Sequence, residues 1–166
     1  NYAFQKNISY SQYSMWKKCP KQWALQYRDG NKIYTPSVHT VFGKALHEAF
    51  QHYIQVMYDK SGAAADREDI LELLKDKIRE HYQDEYKKNK NQHFSNPGEL
   101  SEFYEDGVEI LNYLKKNKGK YFSKRGWHLV GIETPITMPP LQYNPNVLFI
   151  GYLDIVMYND RLNKFK

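Results

Sequence analysis

The stretch Leu148-Phe149-Ile150-Gly151-Tyr152-Leu153-Asp154-Ile155-Val156-Met157 decides the fold, because it is an almost continuous apolar run with one carboxylate inside it. Its β-branched and aromatic residues predict a strand from Val147 to Tyr158. Alternation places Asp154 on one face with Tyr152 and Val156, and the opposite face is apolar as well. A carboxylate in such a strand costs several kcal/mol unless it is paired or binds a metal, so Asp154 is a candidate functional residue. The alternative is an aspartate on the solvent face of an edge strand.

A second strand precedes this one along the chain. Residues Trp127 to Met138 combine β-branched side chains with rough alternation, and Pro139-Pro140 ends them. Glu133 lies inside this strand as Asp154 lies inside the other. If the two strands are neighbours, both carboxylates converge on one hard cation, since Mg²⁺ prefers carboxylate and water oxygens. Gly151 lets another group approach the backbone closely.

The residues after the second strand predict a hairpin. Tyr158 to Asn163 form a turn centred near Asp160-Arg161, and the chain ends at Lys166 just as a third strand should start. Positions equidistant from the centre of an antiparallel hairpin face each other. The residue opposite Asp154 therefore falls beyond Lys166. We expect the sheet to be incomplete in this chain and the sequence to be truncated.

Helical patterns occupy the chain before the strands. They cover Ser9–Tyr27 as a helical pair, Ser37–Asp59, Asp66–Lys88 and Glu99–Lys116. Residues at three- and four-residue steps predict a buried stripe on the first pair: Met15, Trp16, Cys19, Trp23, Ala24 and Tyr27. Helices followed by strands predict an α+β fold, with N-terminal helices packed on a mixed sheet in a single domain over residues 1–166.

Composition excludes some classes of protein. Mean hydropathy is −0.80 and no run approaches the roughly 18 apolar residues of a membrane helix. A single cysteine excludes a disulfide scaffold and favours a reducing compartment. The net charge of +5 and 16% aromatic residues are compatible with nucleic-acid binding, but many proteins of this charge bind none. Lys115 to Arg125 carries six Lys/Arg; a solvated loop is the favoured interpretation and a phosphate-contact patch the alternative.

His47-Glu48 invites comparison with the zinc-protease motif, but its spacing excludes that site. The motif needs a second histidine four residues after the first. The next histidine is His52, five residues on, about 140° round the helix. Taken alone, His47 is interpreted as a half-buried helix histidine.

Five motifs in order resemble the PD-(D/E)XK nuclease superfamily, and its RecB-like branch most closely. That branch includes the CRISPR adaptation nucleases and many phage exonucleases. The motifs are Ser9-Tyr10-Ser11, Cys19-Pro20-Lys21-Gln22-Trp23 with Tyr27, Gly43-Lys44-Ala45-Leu46-His47-Glu48, Glu133-Thr134-Pro135, and Ile150-Gly151-Tyr152-Leu153-Asp154. They cover nearly the whole chain. The resemblance implies a restriction-endonuclease-like mixed sheet.

The resemblance also implies Mg²⁺- or Mn²⁺-dependent cleavage of DNA. Carried over residue by residue, His47 and Asp154 are metal ligands, and Glu133 is an acidic catalytic position. The defining D/E-x-K motif does not follow Asp154 in this sequence, because Leu162 and Lys164 stand two residues before Lys164 and Lys166. We therefore expect this fragment itself to be inactive.

Cys19 stands where iron–sulfur members of the branch carry their first cluster cysteine. A cluster needs four ligands. The favoured interpretation is a small buried hydrophobic residue beside Trp16 and Trp23.

The functional expectation is an exonuclease of recombination, repair or phage DNA processing. We expect it in the cytoplasm, encoded by a bacterium or phage, with DNA and a helicase or recombination protein as partners and no membrane association. The basic residues expected to contact DNA are Lys44, Lys118, Lys120, Lys124 and Arg125. Two alternatives stay open: a non-catalytic nuclease-fold module for DNA binding or assembly, and a plain helical interaction domain.

Overall fold

The computed structural model describes residues 6–31, 34–123, 125–138 and 147–166. Lys124 and the strand-ending Pro139-Pro140 lie outside the described residues. The elements are β1 (Lys6–Ser9), α1 (Tyr10–Lys18), α2 (Pro20–Trp23), a π-helical turn (Ala24–Arg28), α3 (Val38–Asp59), α4 (Gly62–Arg67), α5 (Ile70–Lys88), α6 (Pro97–Tyr121), β2 (Trp127–Met138), β3 (Val147–Asn159) and β4 (Lys164–Phe165).

The predicted α+β class is confirmed. The four strands form one mixed sheet in the order β1-β3-β2, with β4 also pairing with β3. β1 runs parallel to β3, and β4 runs antiparallel to it. The chain divides into two compact units, which we call unit 1 (Asn1–Tyr34 and Gly131–Val156) and unit 2 (Thr35–Val130 and Met157–Lys166).

Unit 1 opens with a strand that the sequence analysis missed. β1 pairs Ser9 with Ile150, and the Ser9 Oγ then accepts a hydrogen bond from the Gln12 backbone N–H at 3.3 Å. Ser9 is thus the last strand residue and also the N-cap of α1. Pro20 occupies the first turn of the next helix, α2, where its missing N–H costs nothing.

The predicted buried stripe on these first helices is wrong. No residue of α1, α2 or the π-helical turn is buried, and Trp16 is 50% exposed. Cys19 is half-buried rather than buried, and its Sγ accepts a hydrogen bond from the Gln22 N–H at 3.4 Å. The other members of the stripe are half-buried, so the described residues cover this apolar helix face only in part.

The helices of unit 2 enclose the buried core. α3 begins one residue after Ser37 and ends at Asp59, as predicted. Its partners α5 and α6 pack closely, because a Cβ on Gly107 of α6 would lie 2.6 Å from Leu74 Cδ2 of α5. The largest fully buried side chains are Tyr53, Ile54, Ile70, Leu74, Leu111 and Val41.

Two predicted boundaries in unit 2 need correction. The helix predicted over Asp66–Lys88 is divided, since α4 ends at Arg67 and Asp69 caps a new helix by accepting from the Glu72 N–H at 3.0 Å. A side chain that caps a helix so well competes with helix continuation. α6 extends to Tyr121, so much of the basic stretch favoured as a loop is helical.

The hairpin predicted at the end of the chain is confirmed. Residues 160–163 form the turn, and the flanking strands pair Tyr158 with Phe165 and Asn159 with Lys164. The Asn159 side-chain oxygen accepts from the backbone N–H groups of Arg161 and Leu162 and so fixes the turn. Within the described residues, no helix has the length and apolar character to span a membrane.

Candidate metal centre

Two carboxylates of unit 1 lie close together on neighbouring strands. Glu133 is on β2 and Asp154 is on β3, and their ligand oxygens lie within 4.8 Å of each other. Oxygens bound to one Mg²⁺ at 2.0–2.1 Å lie about 3–4 Å apart. The spacing thus fits a shared divalent cation with at most a small closure of the pair. The sheet therefore brings these two residues close together, as the sequence predicts.

Asp154 lies on an exposed face of its strand, which is closer to the alternative that the sequence left open. Its side chain is exposed, as are its neighbours Tyr152 (63%) and Leu153 (42%). Glu133 is exposed as well. The apolar sequence around Asp154 therefore gives no desolvation argument for a metal, and the case depends on the position of the second carboxylate.

The backbone at Glu133 has an unusual conformation. Its φ is +49°, in the left-handed region that non-glycine residues seldom adopt. Two residues earlier, a Cβ on Gly131 would overlap the Oγ1 of Thr134. A left-handed residue and a glycine whose Cβ would crowd a neighbouring side chain indicate a local irregularity of the β-bulge type within this strand, which redirects side chains. Such strain costs about 1–3 kcal/mol and often accompanies function.

Gly151 has the role expected from the sequence. A Cβ at this position would lie 3.3 Å from Cγ1 and 3.5 Å from Cδ1 of Ile136. Since Ile136 belongs to β2, the missing side chain lets β2 and β3 come together at this point. The pairing of β2 with β3 in the sheet is what brings their carboxylates into range.

The third predicted ligand, His47, lies on α3 of unit 2 and is half-buried. Its Nε2 is in hydrogen-bond contact with the side-chain amide of Gln51, one helical turn later. A hydrogen bond to a ring nitrogen orients a histidine, so Gln51 is a positioning candidate that the sequence analysis missed. The signal available in the sequence was the spacing of four residues between His47 and Gln51, which places both on one side of the helix.

The neighbours of His47 are engaged in structural contacts. Glu48 binds His81 at 2.8 Å and Lys77 at 3.1 Å. Burial raises the pKa of Glu48, but the hydrogen bonds from Lys77 and His81 outweigh it and hold that pKa below its usual value. His52 lies 3.6 Å from Glu68. These separate partners agree with the exclusion of a zinc-protease site.

The predicted DNA-contact residues have varied surroundings. Lys118 Nζ binds both carboxylate oxygens of Asp66, at 2.8 and 2.7 Å. Lys44 is 51% exposed and 4.0 Å from Glu85, and Lys120 lies over the Tyr121 ring at 5.2 Å. Arg125 is exposed. Lys118 therefore has a structural partner already, and the DNA role of all five residues stays a prediction.

Comparisons with known proteins identify a family. The family model described as the PD-(D/E)XK nuclease superfamily matches residues 7–165. No curated protein matches the chain. No solved structure matches it either.

Proposed function

The chain belongs to the PD-(D/E)XK nuclease superfamily, and on this basis we propose that it carries the metal-binding part of a Mg²⁺- or Mn²⁺-dependent deoxyribonuclease. The single observation that carries the proposal is the approach of the Glu133 and Asp154 oxygens to within 4.8 Å on neighbouring strands. The substrate is DNA, and the reaction is hydrolysis of a phosphodiester bond.

The proposed ligands are Asp154 and Glu133, which lie close together, and the family resemblance adds His47 to them. Two carboxylates and one imidazole suit Mn²⁺, and carboxylates with water suit Mg²⁺. Such an ion stabilises developing charge on a phosphodiester and lowers the pKa of bound water. The protein's own part is to hold the two carboxylates on adjacent strands and to orient His47 through Gln51.

Between Asp154 and Lys166 no acidic residue stands two positions before a lysine, so the D/E-x-K motif that follows this aspartate in the family does not occur there. The register of the hairpin pairs Tyr158 with Phe165 and Asn159 with Lys164. Each step back along β3 is matched by a step forward on its partner, so the position opposite Asp154 falls after Lys166. Metal binding by Glu133 and Asp154 is therefore the test of the proposal that the described residues allow.

Thermal unfolding with and without Mn²⁺ tests the metal site. A cation at about 100 times its Kd adds about 2.7 kcal/mol of stability. For a chain of this size that raises Tm by about 5–10 °C. Asp154→Asn and Glu133→Gln should abolish most of the rise, while Glu109→Gln, on exposed α6 surface, should leave it unchanged. An equal rise in all four proteins would remove the site assignment.

The finer role we propose is that of an exonuclease in recombination, repair or phage DNA processing, acting with a helicase or recombination protein in the bacterial cytoplasm. The resemblance to the RecB-like branch supports it. Strand-end dependence is the test: linear DNA should be degraded and closed circular DNA should not, by a protein that also contains the D/E-x-K motif.

A second candidate is a non-catalytic module for DNA binding or assembly. The observation in its favour is that neither Lys164 nor Lys166 follows an acidic residue at the family spacing. Such a module binds DNA with an affinity that falls with salt and does not respond to chelators. Mn²⁺-dependent stabilisation that requires Asp154 would count against it.

A further inference from the structure

Helix α1 presents a row of exposed aromatic rings. Tyr10, Tyr13 and Trp16 follow one another at three-residue steps and are 77%, 46% and 50% exposed. Each step of three residues turns about 60° round the helix and advances about 4.5 Å along its axis, so Tyr13 lies between Tyr10 and Trp16 in a row that winds about 120° round the helix. We call these three residues the α1 aromatic face. Large exposed apolar patches on a folded protein usually mark a binding surface.

Two apolar grooves lie beside this face, both within unit 1. One of about 260 Å³ is lined by Ile8, Gln12, Tyr13, Trp16, Trp23 and Phe149. The other, of about 320 Å³, shares Ile8, Tyr13 and Phe149 with the first and adds Ile136 and Met138 among its lining residues. Flat apolar grooves between aromatic rings suit planar, weakly polar groups.

The charge of the same segment is strongly positive. Residues 1–28 contain five Lys/Arg and no Asp or Glu, so the net charge of +5 on the whole chain resides in this segment. Lys17, Lys18 and Lys21 are exposed. Arg28 is paired with Asp29 at 2.7 Å, but within the described ranges these three lysines have no carboxylate partner. The segment that carries the aromatic rings thus also carries uncompensated, exposed cations.

We infer that the α1 aromatic face, with its two grooves, binds single-stranded DNA by stacking bases on its rings while Lys17, Lys18 and Lys21 contact the phosphates. This inference rests on the proposed function, since it takes DNA as the substrate. Aromatic platforms beside cationic side chains are how proteins hold single strands without regard to sequence. Bases in a duplex are already stacked on one another, so a duplex offers this surface only its phosphates.

The charge argues for nucleic acid over a second copy of the chain. Two copies meeting through this face would bring together two segments of like charge, which repel each other. A polyanion with planar apolar groups complements both properties of the surface. Single-stranded DNA supplies the two together in each nucleotide.

Fluorescence anisotropy with labelled oligodeoxythymidylate, in EDTA, tests the inference on the 166-residue chain. The single strand should bind more tightly than a duplex of equal length. Loss of one stacked ring weakens binding about 5- to 100-fold, so Tyr13→Ala and Trp16→Ala should each show a loss in this range. Trp16→Phe should retain most of the affinity. Tyr113→Ala removes a 55% exposed tyrosine from α6 and should change nothing.

A charge variant gives a second readout that does not depend on removing a ring. The triple variant Lys17→Gln, Lys18→Gln, Lys21→Gln replaces three exposed lysines and should weaken the binding of single-stranded DNA. Three lost phosphate contacts should also lower the slope of log K against log salt by about 2. An unchanged slope would contradict the phosphate role of these lysines.

Other results would overturn the inference. DNA binding that ignores both the ring and the lysine substitutions would place DNA elsewhere and leave the metal proposal standing. Self-association abolished by Trp16→Ala, with no effect of that variant on DNA affinity, would show a second copy on this face. Failure of every DNA form to bind would remove DNA as the substrate and this inference with it. Loss of Mn²⁺ stabilisation alone would contradict only the metal proposal.

Discussion

Units 1 and 2 differ sharply in how far they bury their apolar side chains. Every buried hydrophobic residue among the described ones belongs to unit 2, from Val38 to Met157. Unit 1 contains the most exposed aromatic residue, Tyr10, together with both carboxylates of the candidate metal centre. The described core therefore stabilises the helical unit, while the other unit presents its sequence motifs to solvent. Residues that serve binding are commonly held on surfaces that a packed scaffold supports.

The largest expected effect separates the two units by core packing. Leu111 is fully buried in unit 2, and Leu111→Ala should reduce the free energy of unfolding by about 2–5 kcal/mol. Leu153→Ala is the matched change in unit 1, where the side chain is 42% exposed, and it should cost well under half as much. Urea unfolding of both variants measures this. Equal losses in the free energy of unfolding would mean that side chains of unit 1 contribute as much to stability as the core of unit 2.

A smaller effect should appear at the left-handed backbone of Glu133. Glycine adopts positive φ without strain, so Glu133→Gly should raise stability by about 1 kcal/mol while weakening Mn²⁺ binding. Asparagine also tolerates positive φ, so Glu133→Asn should likewise raise stability and weaken Mn²⁺ binding. Urea unfolding and a Mn²⁺ titration on the same samples make the comparison. A loss of stability in both variants would show that the conformation is not strained.

The smallest expected effect is a pH dependence in unit 2. Asp66 accepts hydrogen bonds from Lys118 and from the Tyr53 hydroxyl, which lower its pKa. A carboxyl with a lowered folded-state pKa contributes stability above its unfolded pKa of about 3.9, and that contribution is lost as pH falls through the folded value. Because the Asp66 side chain is 41% exposed, we expect less than about 1 kcal/mol.

Urea unfolding between about pH 2 and 7 checks this dependence. Asp66→Asn should flatten the acid side of the stability curve, and Asp106→Asn, on the exposed side of α6, should leave the slope unchanged. If the stability curve of Asp66→Asn overlays that of the unsubstituted chain, the pH dependence does not come from Asp66.

The sequence predicted the regular elements better than their exposure. Strong periodicity fixed α3 and the two long strands, with β2 matching the predicted bounds Trp127–Met138. β1 was missed because four residues with one apolar side chain give no pattern. The burial of Trp16 was misjudged because an apolar helix face shows only that something can cover it, not that anything does.

The candidate site was predictable in its members but not in its geometry. Glu133 and Asp154 were selected as charged residues in apolar strands, and the sheet does bring them together. The positive φ of Glu133 and the contact of Gln51 with His47 depend on the folded backbone. A glycine and a proline within the same strand were the only hints of the irregularity at Glu133.

The most direct test of the account is a calorimetric Mn²⁺ titration of the 166-residue chain at neutral pH, alongside Asp154→Asn, Glu133→Gln, His47→Ala and the control Glu109→Gln. The account predicts specific Mn²⁺ binding by the unsubstituted chain and the control, and binding weakened at least about tenfold in each ligand variant, since an incomplete donor set loses affinity. Equal Mn²⁺ affinity in all five proteins, or no binding by any of them, would contradict it.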